Sequence, residues 1–299
     1  MKKDGVTFTS KATQPFSSLN YRPEYDESIL CDDGQISFYQ NIMGVLRWLV
    51  ELGRVDINFE VSLLSRYLMQ PRMGHLQQAL NIFNYLKSHD RSWIVCDPRK
   101  IDISWTPGAI TDDPWSRMEA MKELYPDAVE TTPINAPKPR GKSVQINVWV
   151  DADHAGDKTT RRSQTGILIY ANQTPIDWFS KKQNTCETST FGSEFIALRI
   201  AVEKVIALRY KLRMMGIEVD GPSQIFCDNE SVVKNSSCPE STINKKHLSI
   251  AYHFVRENIA AAVIIIFYES GSCNLADLLT KCLPPEKRKK LMSGIFGKR

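Results

Sequence analysis

At 299 residues the chain is long enough for one large domain or two ordinary ones, and a composition that is 42% hydrophobic and 24% charged excludes a disordered or collagen-like protein. A net charge of +4 permits a polyanionic partner without requiring one. The longest strongly apolar stretch, residues 259–267, is too short to cross a bilayer. No apolar core follows the opening Met-Lys-Lys, and the 7 cysteines form no Cys-x-x-Cys pair, so the expectation is a non-secreted, cytoplasmic or nuclear chain with free thiols.

Residues 1–36 are polar, broken by Pro15 and Pro23, and read as an irregular lead-in. Over 37–96 the apolar spacing is helical. Ile42, Leu46, Leu49 and Val50 form one face, Phe59, Leu63, Leu64, Tyr67 and Leu68 a second, and Leu76, Leu80, Phe83 and Leu86 a third. Residues 97–142 are Pro-rich and read as a linker or insertion with a short helix around 116–124. From 143 to 283 the rhythm changes. Strands are predicted at 144–150, 166–170 and 176–180, the last two joined as a hairpin, then a long helix over 190–214 that stops at Gly216. A strand at 224–227, helices at 231–236 and 244–260, a strand at 263–268 and a helix from about Asn274 follow. Residues 284–299 form a basic C-terminal tail.

The order β-β-β-α-β-α-β-α determines where side chains meet. Three hairpin-joined strands run up, down and up, so the long helix starts at the top edge and descends. The next strand then rises parallel to the first by a right-handed crossover. Four acids fall at that edge: Asp151 after the first strand, Glu194 in the first turn of the long helix, Asp228 after the fourth strand and Asp277 opening the last helix. One such carboxylate is an ordinary complement to a helix dipole. Four together repel and need a cation, and an all-oxygen set suits Mg²⁺ or Mn²⁺, two of which support in-line phosphoryl displacement.

Val150-Asp-Ala-Asp-His-Ala-Gly-Asp157, Arg161-Arg-Ser-Gln-Thr-Gly166, Ser193-Glu-Phe-Ile-Ala-Leu198, Cys227-Asp-Asn-Glu-Ser231 and Leu275-Ala-Asp-Leu-Leu-Thr-Lys281 occur in order. Together they resemble the ribonuclease H domain of copia-type LTR retrotransposon polyproteins. The resemblance implies a ribonuclease H-like α/β fold, a five-stranded mixed sheet with flanking helices. It assigns Asp151, Glu194, Asp228 and Asp277 as catalytic, metal-binding residues for two Mg²⁺ or Mn²⁺ ions. The segment from Tyr39-Gln-Asn-Ile-Met-Gly-Val-Leu-Arg-Trp48 to Leu86 resembles the thumb and connection helices that precede that domain.

The implied activity is endonucleolytic hydrolysis of the RNA strand of an RNA–DNA hybrid, in the cytoplasm (within a virus-like particle) or the nucleus. The missing polymerase part of the polyprotein is a further expected partner. No polymerase activity is expected, because Cys31-Asp32-Asp33 lacks the flanking strands of a Tyr-x-Asp-Asp turn. His154, Arg161, Arg162, Lys181, Lys182 and Asn229 are candidate nucleic-acid contacts, with surface residues and a helix cap as their plain alternatives. Asp153, His247, His253 and Trp178 read more simply as structural. The rival to an enzyme is a non-catalytic nucleic-acid-binding or connection remnant of a retroelement.

Overall fold

Residues 12–101, 113–243 and 245–296 are described by a computed structural model. In chain order the elements are α1 (Asp33–Glu51), α2 (Asn58–Leu64), α3 (Met73–Ser88), α4 (Pro114–Leu124), β1 (Ile146–Asp153), β2 (Gln164–Ala171), β3 (Thr174–Lys182) and α5 (Thr190–Met214). There follow β4 (Ser223–Cys227), α6 (Glu230–Ser237), α7 (Ser249–Ala260), β5 (Ile264–Tyr268), a 3-10 turn at Leu275–Leu279 and α8 (Pro285–Met292). Contacts divide the chain into a helical unit, residues up to 95 with 157–159 and those from 281 on, and a sheet unit of 96–156 and 160–280.

In the sheet unit the strand order is β3-β2-β1-β4-β5, with β1/β2 and β2/β3 antiparallel and β1/β4 and β4/β5 parallel. This is the five-stranded mixed sheet with flanking helices of a ribonuclease H-like fold. Alternation along the strands sends Val148, Val150, Ile167, Ile169, Ile225, Ile264 and Ile266 to one face, where they pack on Leu198, Val202 and Val205 of α5 and Val255 and Ile259 of α7. Met118 and Met121 of α4 join the same core. The other face carries an aromatic row: Trp149 meets Tyr170 at 5.0 Å and stacks on Phe226 at 4.9 Å, and Phe226 stacks on Phe267 at 5.6 Å between ring centroids. Glu130, in the Pro-rich stretch, accepts from Arg209 at 2.7 and 2.9 Å and from Arg213. Burial alone would raise its pKa; those two guanidinium groups outweigh it and hold the carboxyl below its usual range.

Two expectations about elements near the site change. β1 runs on to Asp153 because its pairing with β2 continues through Asp151↔Gly166 to Asp153↔Gln164, so Asp151 lies inside the strand. The predicted helix from Asn274 is a 3-10 turn. Pro284 and Pro285 lack the N–H groups that a helix continuing through them would need, and the chain restarts as α8.

In the helical unit Asp32 and Gln35 form a capping box at α1, with Gln35 N donating to Asp32 at 2.8 Å and Asp32 N to Gln35 at 2.9 Å. The buried stripes share Leu46, Val50 and Leu76 with those predicted, and the rest of the α3 stripe sits one position round. They are Tyr39, Met43, Leu46 and Val50 on α1, and Leu76, Ala79, Ile82 and Tyr85 on α3. A buried charge group explains the rotation of α3. Arg288, inside the basic run of the tail, is 2% exposed and donates to Glu60 at 2.9 and 3.0 Å and to the Asp56 carbonyl, with its guanidinium 5.4 Å from the Tyr85 ring. Turning Tyr85 inward supplies that ring.

Candidate active site

Parallel pairing sets Val150 of β1 beside Cys227 of β4, and Cys227 beside Tyr268 of β5. The residues one step further along, Asp151 and Asp228, therefore reach the same sheet edge, where ligands bind in open α/β sheets. The turn after β5 brings Asp277 to them. Carboxylate oxygens of Asp151, Asp228 and Asp277 lie within 4.8 Å of one another, and atoms of Glu194, Cys227 and Asp228 form a second group within the same limit. The four predicted acids thus come together around Asp228. Asp151, Glu194 and Asp277 are buried at 4%, 8% and 1% exposure, and Asp228 is half-buried.

Local chemistry holds each acid in place. The Asn274 amide donates to the Val150 carbonyl at 2.9 Å while its oxygen accepts from Ala276 N at 3.0 Å, tying the 3-10 turn to β1 beside Asp151. Thr280 donates to Asp151, and Ser180 of β3 donates to the Leu279 carbonyl at 2.6 Å. Ser189 caps α5 through Gly192 N, and Gln183 donates to Thr165 and, at 2.8 Å, to the Ser193 carbonyl, anchoring the turn that bears Glu194. Gly271 passes so close to Asp228 that an added Cβ would meet its carboxylate at 3.0 Å. Thr280, Asn274, Gly166 and Gly271 carry no charge or metal-ligand signature, so reading the sequence for titratable groups passes over them. For Thr280 and Asn274 the available signal is their place within three residues of Asp277.

Clustered acids close together in low-dielectric surroundings call for a positive partner. The donor set fits a hard divalent cation, since its carboxylates are oxygen ligands; burial first and the charge of Glu194 second push the Cys227 thiol well above its usual pKa. Glu269, at the end of β5, is likewise raised by burial and then by the Asp228 charge. Among the described residues, neither acid group includes Asp153.

The candidate nucleic-acid contacts fall at different places. His154 Nδ1 is 3.3 Å from Ser193 Oγ, next to Glu194. Arg161 and Arg162 are exposed in the β1–β2 loop, Arg161 at φ +56°. Lys181 and Lys182 lie at the end of β3, opposite Thr165 and Gln164. Asn229 caps α6, accepting from Val232 N at 3.2 Å. Away from these, His247 bonds Glu187 at 3.0 Å and His253 bonds the Tyr125 hydroxyl at 2.7 Å.

No protein-family model matches the chain. Its sequence is homologous to retrovirus-related Pol polyproteins of transposons. It is 26% identical over 245 residues to that of transposon RE1 of Arabidopsis thaliana, across 82% of this chain and 14% of the polyprotein. Identity is 32% over 147 residues to that of transposon TNT 1-94 of Nicotiana tabacum, across 49% of this chain and 11% of the polyprotein. It is 47% over 147 residues to a putative Ty5-1 transposon protein of Saccharomyces cerevisiae, across 49% of this chain and 34% of that protein. The chain therefore spans a small part of the length of the Pol polyproteins it matches. Among solved structures, a ribonuclease H1 in complex with an RNA/DNA hybrid aligns with 50% of this chain and all of its own, at 18% identity and a TM-score of 0.37. The N-terminal ribonuclease H domain of a Mycobacterium tuberculosis protein aligns with 50% of this chain and 96% of its own, at 13% identity and the same score, 0.37.

Proposed function

We propose that this homologue of transposon Pol polyproteins is a metal-dependent ribonuclease H that cuts the RNA strand of RNA–DNA hybrids. The observation that carries the reading is the convergence of Asp151, Asp228 and Asp277 within 4.8 Å, with Glu194 joined to the group through Asp228. The four carboxylates would hold two Mg²⁺ or Mn²⁺ ions, which supply Lewis-acid stabilisation of a phosphoryl group and an activated water. The chain's own part is to fix those acids on four separate elements before substrate arrives, so that little reorganisation accompanies reaction. His154, beside Ser193 at the rim, and the cationic groups Arg161, Arg162, Lys181 and Lys182 would contact backbone phosphates. Preference for a hybrid would come from 2′-hydroxyls and helix shape rather than base sequence.

Asp32 of Cys31-Asp32-Asp33 serves as the cap of α1, at the start of a helix and not in a turn between two strands. The test is cleavage of a labelled RNA–DNA hybrid in Mg²⁺ and in Mn²⁺, with Asp228→Asn as control. Cleavage confined to the RNA strand and lost in the variant supports the enzyme. A folded chain that binds the hybrid in a salt-dependent way, and cuts in neither metal, would instead be a non-catalytic binding remnant.

A further inference from the structure

Thr280 closes the 3-10 turn that carries Asp277. It is 0% exposed, and its hydroxyl donates to Asp151 Oδ2, with the Asp277 carbonyl a longer alternative acceptor at 3.4 Å. A hydroxyl has one proton to give, and the shorter contact to a charged acceptor takes it. The other branch of the side chain is located too. An ideal Cβ on Gly166 would stand 2.6 Å from Thr280 Cγ2, so the methyl fills the notch that this glycine leaves. Gly166 is itself the register partner of Asp151 across β1 and β2. With the methyl in the notch, the β-branched side chain has its rotamer set and its hydroxyl directed at Asp151. Valine would keep the fit and lose the proton; serine would keep the proton and lose the methyl.

We propose that Thr280 is a positioning residue of the metal centre: its hydroxyl holds the Asp151 carboxylate in the orientation that receives a divalent ion. This rests on the reading of the acid cluster as a metal site. It also gives Leu275-Ala-Asp-Leu-Leu-Thr280 a second function, in which one turn delivers Asp277 as a ligand and Thr280 as the brace of Asp151. Groups hydrogen-bonded to metal ligands typically affect metal affinity by about 10–100-fold when removed.

The experiment is calorimetric titration of Mn²⁺ alone into the full chain, as wild type and as Thr280→Val, Thr280→Ser and Thr280→Ala, with the unfolding midpoint of each ion-free protein measured alongside. Thr280→Val is expected to bind Mn²⁺ about 10–100-fold more weakly than wild type, at an ion-free midpoint close to wild type. Thr280→Ser should stay within about threefold, a small effect for a brace that keeps its hydrogen bond. Thr280→Ala against Thr280→Ser isolates the same hydroxyl should the valine variant not fold. Undiminished Mn²⁺ affinity in Thr280→Val, or in Thr280→Ala relative to Thr280→Ser, overturns the proposal while leaving the metal site standing. A wild-type chain that takes up no Mn²⁺ overturns the metal-site reading, and this inference with it.

Discussion

Gly166 and Asp151 face each other across the antiparallel β1–β2 pair, and the turn bearing Asp277 packs against the space that Gly166 leaves empty. A Cβ there would stand 2.9 Å from the Ala276 carbonyl, which is backbone and retreats only if the whole turn lifts. Gly166→Ala is therefore expected to cost about 1–3 kcal/mol in urea unfolding, the usual range for overpacking. It should also weaken Mn²⁺ binding, because the displaced turn carries both Asp277 and Thr280. Unchanged stability would show that the turn is not seated on this strand.

Asp228 stands in both acid groups, so Asp228→Asn removes the charge most shared among them. Cleavage of the hybrid should fall by more than about 100-fold, beyond the effect of losing a residue behind a ligand. Without divalent ions the same variant should be more stable than wild type, because one of several mutually repelling charges is gone. A gain of about 1 kcal/mol raises the midpoint by roughly 2–4 °C in a domain of this size. Thermal melts with EDTA and with Mn²⁺ check both halves; a variant stabilised by Mn²⁺ as strongly as wild type would contradict the assignment.

The Glu60–Arg288 pair gives a pH-dependent stability. Burial pushes Glu60 from 4.5 up to about 7, against the attraction of Arg288, which opposes the rise. A carboxyl raised on folding holds its proton more tightly in the folded chain, so the stability it contributes falls as pH climbs from the unfolded value through the folded one. Arg288→Met removes the group that favours the ionised form and carries Glu60 higher still. The variant should lose about 3–5 kcal/mol at pH 8, where Glu60 must either be buried ionised without its partner or take up a proton that the unfolded chain does not hold. The loss should be clearly smaller at pH 5.5, where Glu60 is neutral. Equal losses at the two pH values in urea unfolding would count against the shift.

Arg161, Arg162, Lys181 and Lys182 differ from the acids in being solvent-facing to varying degrees at the ends of β-strands and loops. If they meet phosphates, changing one to Gln reduces the slope of log affinity against log salt by about 1 for a hybrid, without changing strand preference. Fluorescence anisotropy across a salt series reads the slope. A residue whose loss leaves it untouched is surface and no more.

The sequence carries the placement of the four acids because that placement needs only strand order and direction. Hairpins, a crossover helix and the parallel return of Gln224–Cys227 put Asp151 and Asp228 at one edge whatever the exact strand ends. The braces were not legible in the same way. Thr280 meets Asp151 across 129 positions of sequence, and Ser180 meets Leu279 across 99, separations at which no local pattern operates. On α3 the buried residues Ala79, Ile82 and Tyr85 stand one position from the apolar spacing for a related reason. A polar group, Arg288 with Glu60, draws Tyr85 inward, and hydrophobic periodicity assigns no weight to a buried ion pair. The same pair takes one arginine of a basic run out of solvent, where charge patterning places it on the surface.

The spread of the site along the chain also sets a clock. Asp151 is the first of the acids to leave the ribosome, while Asp277 and the Thr280 that braces it come last, with 129 positions between Asp151 and Thr280. At 5–20 residues per second that interval lasts roughly 6–26 s. Throughout it the nascent chain holds an incomplete acid cluster, so the metal-dependent cleavage proposed above would have to wait for the last turn. The piece that completes the cluster is the short turn that packs on β1 and β2.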